Sequence, residues 1–240
     1  MNSGSNHREA AGESNRRPAQ KGRLFEVLVF LFLIVPSMAL SFFAVKQGAL
    51  SFEIVAWSTI LRDIALVCLI LYFLWKNGEP VERVGWTLKH FWKDFFIGLV
   101  LFIPLYFCAG LLEKALQRAG FSVPATPVPS YLTPGDIPMM VLAVFLVVVV
   151  AVAEETIFRG YLVTRFRDLK TGAPAAVVLS AFVFSIGHGY EGTAGVITVG
   201  AMGLVFALVY IWRRSLVAPM IMHFLVDFIS IVLVPALGLG

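Results

Sequence analysis

Apolar runs of about 20 residues, separated by short polar links, fill this chain from residue 24 almost to its end. A run of that length crosses the hydrocarbon core of a bilayer as one α-helix. The helix is one of only two structures that satisfy every backbone polar group in lipid. The runs fall at 24–45, 52–75, 95–112, 137–158, 173–188, 193–212 and 216–237. Seven helices need about 140 residues, close to what a 240-residue chain that is 59% hydrophobic supplies. Charged residues make up 14%, against about 25% in an average soluble domain, too few to cover a water-facing surface. These numbers exclude a soluble globular enzyme, a disordered chain and a porin-type barrel of short alternating segments. The expected fold is all-α: a polytopic transmembrane helix bundle of seven spans, or eight if a re-entrant segment hides another.

Residues 1–23 read as a flexible cytoplasmic leader, and 24–240 as a single transmembrane domain. A secretory signal peptide fits poorly, because the first apolar run is too long for an h-region and lacks a small-x-small cleavage site. The formal charge of +4 does not point to nucleic acid, since the basic residues sit in short blocks beside apolar runs. That placement sets orientation. With the N-terminus inside, the cytoplasmic segments hold Arg8, Arg16, Arg17, Lys21 and Arg23, then Lys76, Arg83, Lys89 and Lys93, then Arg165, Arg167 and Lys170, then Arg213 and Arg214. The opposite side holds Lys46, Lys114 and Arg118. The short links and absent targeting elements suit a prokaryotic plasma (inner) membrane.

Several features carry plain structural readings. Cys68 and Cys108 lie in apolar runs and fit no metal or disulfide pattern, so each is expected to be a small buried packing residue. The stretch 82–93, which mixes Trp86, Phe91 and Trp92 with lysines, suits either a helix lying in the headgroup region or an ordinary aromatic belt with snorkelling lysines. Proline-rich 121–138 is expected to be an extended outer loop. Arg62 and Asp63 in the second run are expected to pair with each other or with the bundle. Gly195, Gly200 and Gly203 in the sixth run suit close helix packing.

Other polar residues do not belong in lipid. A charge near mid-bilayer costs at least ~2.5–3.5 kcal/mol on insertion scales and is a functional candidate by default. Run four ends in Glu154-Glu155-Thr156-Ile157-Phe158-Arg159, run five in Phe184-Ser185-Ile186-Gly187-His188, and run seven holds His223 and Asp227. Glu155 and Arg159, four apart, share a helix face and can pair. Glu154 is rotated about 100° away, free to face a cavity. His223 and Asp227 also share a face, and Gly187 and Gly189 flank His188, which lets another backbone or a substrate approach. Each motif alone also fits a structural ion pair or a bundle hydrogen bond. Together they supply carboxylate bases, imidazoles and a cation, the groups that general acid–base hydrolysis needs. No intramembrane Ser or Cys has the surroundings of an activated nucleophile, and Ser185 reads as a packing residue.

The ordered trio resembles the type II CAAX prenyl endopeptidases of the CPBP (Abi) family, intramembrane glutamic proteases grouped with bacteriocin-processing and self-immunity proteins. The family pattern is Glu-Glu-x-x-x-Arg, then Phe-x-x-x-His, then His-x-x-x-Asn or Asp. Here it reads Glu154, Glu155 and Arg159; Phe184 and His188; His223 and Asp227, with the resemblance extending over about 85–235. It implies water-activated hydrolysis of a peptide bond in a membrane-associated or lipid-modified substrate. Glu154 would be the base, His188 would help to activate the water, and His223 and Asp227 would form the oxyanion site. Glu155 and Arg159 would order the cavity, with Phe184 packed beside them. No metal-type His-Glu-x-x-His motif is present, so no cofactor is expected, although Glu, His and Asp are all legitimate zinc ligands. Where many members have Asn, this chain has Asp227, which would either be kept protonated or orient and charge His223; the four-residue spacing favours the second. A non-catalytic immunity or scaffold protein is the alternative, and a metal or proton transporter a third, without the internal repeat common in transporters. The sequence says nothing of oligomeric state.

Overall fold

A computed structural model describes residues 21–36, 38, 51–123 and 130–238. Most of the expected leader, the end of the first expected span and the prolines at 124, 127 and 129 lie outside the described residues. Those residues form an all-helical bundle without a strand. Its helices are α1 (21–36), α2 (Phe52–Lys76), α3 (Phe91–Arg118), α4 (Ile137–Asp168), α5 (Ala173–Ile186), α6 (Gly192–Arg213) and α7 (Val217–Ala236). Five of them, α2, α3, α4, α6 and α7, are long and apolar enough to cross a membrane, and α5 is a shorter apolar helix. The seven expected runs are thus the seven helices. Two are longer than the hydropathy indicated: α3 runs through Pro104, and α4 extends ten residues beyond the expected 158. Helix α1 already includes residues 21–23, inside the stretch read as leader.

The elements begin where local chemistry allows. Asp136 caps α4, its carboxylate accepting a hydrogen bond from the Met139 amide at 2.8 Å, with Pro138 in the first turn, where a missing N–H is harmless. Gly172, at a φ of +78° that side chains avoid, turns the chain into α5. In the packing, α2 lies along α4, α3 along α7, and α5 along α6. Ile157, Phe158, Tyr161 and Leu162 of α4 meet Phe30 of α1, Phe73 of α2 and Phe184 of α5 in the largest buried cluster. The outward faces remain apolar, with Phe32, Trp57, Leu61, Phe107 and Leu208 exposed. Cys68 and Cys108 are exposed as well, not buried as expected. In a bilayer the lipid-facing side is as apolar as the core, so hydropathy cannot assign a face.

One end of the bundle is closed by ion pairs. Arg165 is fully buried, with its Nη1 2.7 Å from Glu79 and 3.3 Å from Asp168. Arg83 reaches Asp168 at 2.7 Å, and the Asn77 amide donates to Glu26 at 3.1 Å. The network joins α1, the α2–α3 link and the end of α4. A residue counted as a loop cation is therefore a buried hub. The same link decides against one of the two readings of 82–93, the helix lying in the headgroup region. No surface helix forms there; a single 3-10 turn at Val81–Val84 ends in Gly85 at φ +88°, and the chain tucks under α4. The Trp86 indole N–H donates to Thr156 at 3.0 Å, and the Leu216 amide donates to the Gly85 carbonyl at 3.1 Å. Gly160 permits this contact, because a Cβ there would lie 2.5 Å from the Val84 carbonyl oxygen and 3.3 Å from Leu216. Gly160→Val is expected to destabilise the protein by about 1–3 kcal/mol, as overpacking against backbone does. Thermal unfolding in detergent checks this; an unchanged midpoint would show that the link moves freely.

Candidate active site

The three polar motifs meet in mid-bundle. The first sits on a helical irregularity: from Glu155 to Leu162, α4 changes to π-helical geometry. Such wide turns are rare and frequent at functional sites. Every side chain of this segment is buried, including Glu155, Thr156 and Arg159. A second π-helical segment, Phe228–Leu233, follows directly on Asp227 in α7. Sequence periodicity gives no sign of either turn, because both are set by how neighbouring helices pack.

Glu155 is the hub. Its Oε1 accepts hydrogen bonds from Arg159 Nη1 at 2.8 Å and from His223 Nδ1 at 2.8 Å. The expected Glu155–Arg159 pair forms, and the histidine of α7 joins it. On its other edge, His223 Nε2 lies 3.4 Å from Asp227 and 3.8 Å from Glu154. One buried imidazole thus has carboxylates on both nitrogens, with Nδ1 as the donor to Glu155. Glu154 approaches the same edge of His223 as Asp227 does.

The walls are aromatic. The Arg159 guanidinium sits 4.1 Å over the Phe184 ring and 5.0 Å over Phe206. Its Nη2 has no hydrogen-bond partner, so the ring faces take the place of an acceptor. His223 stacks on Phe206 with centroids 5.6 Å apart and meets Phe184 edge-on at 5.9 Å. Gly203 makes room for this arrangement: a Cβ there would lie 3.0 Å from Phe184 and 3.2 Å from Arg159 Nη2. Phe206 was not singled out in the sequence, and nothing marks it among 21 phenylalanines.

His188 stands apart from the carboxylates. Its ring lies on Phe184 at 4.8 Å, and Nδ1 is 3.2 Å from the Phe184 carbonyl oxygen, which requires Nδ1 to carry the proton and leaves Nε2 as acceptor in the neutral ring. Gly187 beside it is approached by Met38, since a Cβ would lie 2.6 Å from that side chain. Ser185 hydrogen-bonds within its own helix, to the Phe182 carbonyl at 2.8 Å. Towards the end of the bundle opposite the ion-pair network, Tyr190 and Glu191 lie within electrostatic reach of Asp227. Beyond them, burial and the Glu191 carboxylate raise the Tyr131 phenol above its usual value. Among the described residues, no group of three or more His, Cys, Asp or Glu is arranged to hold a metal ion.

Apolar helices around a core of three carboxylates, an imidazole and a guanidinium define a multi-pass membrane protein with a polar centre. Residues 136–229 match the family model described as Rce1-like, type II CAAX prenyl endopeptidase Rce1-like, so this segment, less than half of the chain, is similar to that family. The match contains all three motifs and ends two residues after Asp227. No curated protein and no solved structure matches the chain.

Proposed function

We propose that this protein is an intramembrane glutamic endopeptidase, which hydrolyses a peptide bond in a membrane-associated or lipid-modified substrate without a metal. The observation that carries this reading is the edge of His223 shared by Glu154 and Asp227, inside the segment that matches the protease family. Glu154 takes a proton from water as its oxygen attacks the scissile carbonyl carbon. His223, held at Nδ1 by Glu155 and charged by Asp227, donates from Nε2 to the oxyanion of the tetrahedral intermediate. When the C–N bond breaks, Glu154 returns the proton to the leaving nitrogen, giving a carboxylate and an amine. His188 offers its unprotonated Nε2 to the water from the other side of Phe184. Glu155 and Arg159 act by orienting His223. The N-terminus lies on the cytoplasmic side, with the excess of basic residues, in a plasma (inner) membrane. Asp227 adds a second carboxylate against His223 beside Glu155, a charge that asparagine would not supply.

The test is cleavage of an internally quenched peptide ending in a prenylated CAAX sequence, and of its unprenylated counterpart, by purified protein. Cleavage that survives a chelator and falls about 10²–10⁴-fold in His188→Ala, the range of a lost acid–base group, is the expected result. Loss of cleavage with chelator and its return with zinc would overturn the metal-free mechanism. No cleavage of either peptide by the wild type would overturn the CAAX-type substrate. Asp227→Asn with full activity and an unchanged pH profile would overturn the charged role of Asp227.

A further inference from the structure

Helix α2 lies outside the family match, yet its middle carries two charges. Arg62 and Asp63 pair through Arg62 Nε and Nη2, each 2.9 Å from Asp63 Oδ1. Asp63 is buried, while 48% of the Arg62 side chain is exposed. All the guanidinium contact falls on one oxygen, and Asp63 Oδ2 is buried without a hydrogen-bond partner. Glu154 Oε2 is buried in the same condition. Glu155 Oε2 and Glu79 Oε1 are unpartnered as well, and buried groups of this kind call for an explanation; those of Asp63 and Glu154 belong to helices that pack together. Helix α2 packs along α4 and against its π-helical segment. Arg62 interacts electrostatically with Glu154, and Asp63 with both Glu154 and His223. A pair that served only to neutralise itself could lie anywhere along α2; this one lies on the helix packed against α4, within electrostatic reach of Glu154.

We propose that Arg62 and Asp63 are positioning residues for hydrolysis, setting the charge and orientation of the Glu154 carboxylate from the α2 side while His223 faces it from α7. This rests on Glu154 being the base. Arg62 balances Asp63 and Glu154 together, so two carboxylates can stay close in an apolar bundle. A guanidinium has five N–H donors, more than the contact with one carboxylate oxygen uses. Asp63 in turn holds the guanidinium at this depth, where an unpaired arginine would snorkel towards the interface. The charged and titratable groups around Glu154 are then Arg62 and Asp63 on α2, Glu155 and Arg159 on α4, His223 and Asp227 on α7, and Tyr190 from the α5–α6 link.

The experiment measures kcat, KM and the thermal midpoint of the purified full chain with the quenched prenylated CAAX peptide. The variants are Arg62→Met, Arg62→Lys, Asp63→Leu and the double variant Arg62→Met/Asp63→Leu. Arg62→Met is expected to lower kcat about 10–100-fold, the range for residues that orient a reacting group, with KM within about threefold of wild type. Arg62→Lys restores part of the loss. The double variant removes both charges, which for a purely structural pair is close to neutral; it is expected to keep the wild-type midpoint and still lose kcat. A double variant within threefold of wild-type kcat would overturn the proposal, as would a loss confined to KM. Glu154→Gln, assayed alongside, separates the two readings. If Glu154→Gln is inactive and the double variant active, only the role of the α2 pair fails. If Glu154→Gln is active, the reading beneath it fails.

Discussion

Glu154→Gln is expected to lower kcat for peptide hydrolysis by about 10²–10⁴-fold, the contribution of a positioned acid–base group, while leaving KM and the thermal midpoint near their wild-type values. Glutamine keeps the size and shape of the side chain and loses only the ability to take a proton. Stability should be spared because Glu154 Oε2 has no hydrogen-bond partner to lose, and its contact with His223 Nε2 is a long one, 3.8 Å. Glu155, one residue on, holds both Arg159 and His223 at 2.8 Å. The two adjacent glutamates are thus expected to separate in mutants, Glu154 acting on turnover alone and Glu155 on both the fold and the orientation of His223. Turnover within threefold of wild type in Glu154→Gln would remove Glu154 from the chemistry and leave the polar centre a structural feature. The assay is steady-state cleavage with matched thermal unfolding, so that loss of activity and loss of protein are not confused.

Those roles divide along what the sequence makes legible. Helix number and placement follow from hydropathy, because in lipid only the length of an apolar run is needed to specify a span. The i, i+4 spacing foretells the Glu155–Arg159 and His223–Asp227 contacts, since that relation depends on one helix alone. The join between them, His223 to Glu155, spans 68 positions and depends on how α7 is rotated against α4. No pattern within either helix encodes that rotation. The same holds for Phe206, which reaches the site only because α6 packs there, and for the π-helical turns beside both motifs. Orientation by basic residues treats Arg165 as a loop charge, yet Glu79 and Asp168 bury it, and a residue count cannot see ion pairing. Arg62 and Asp63 were visible as anomalies in an apolar run, but their neighbour Glu154 was not. Anomalous charge in a membrane chain therefore marks candidate residues, while their partners must come from packing.

Arg159→Met is expected to produce the largest loss of stability among single substitutions at the site. It leaves Glu155 buried with His223 as its remaining partner and empties the space between the rings of Phe184 and Phe206 of its cation. Breaking a buried pair from one side costs about 3–5 kcal/mol, and at about 2–4 °C per kcal/mol for a chain of this size the midpoint should fall by about 6–20 °C. Arg159→Lys should recover only part of this, because an ammonium lacks the planar fork that bonds Glu155 and stacks on Phe184. The double variant Glu155→Leu/Arg159→Met tests the cause. Removing both charges eliminates the uncompensated carboxylate, so the midpoint should return towards wild type. Activity should not return with it, since His223 then has no acceptor at Nδ1 to fix its tautomer and ring orientation. A double variant that regained both would show that Glu155 and Arg159 serve stability alone and that His223 is oriented by its aromatic neighbours. Recovery of the midpoint without turnover would place the pair in the support of His223, and a buried ion pair that merely stabilised two helix turns could not produce that split.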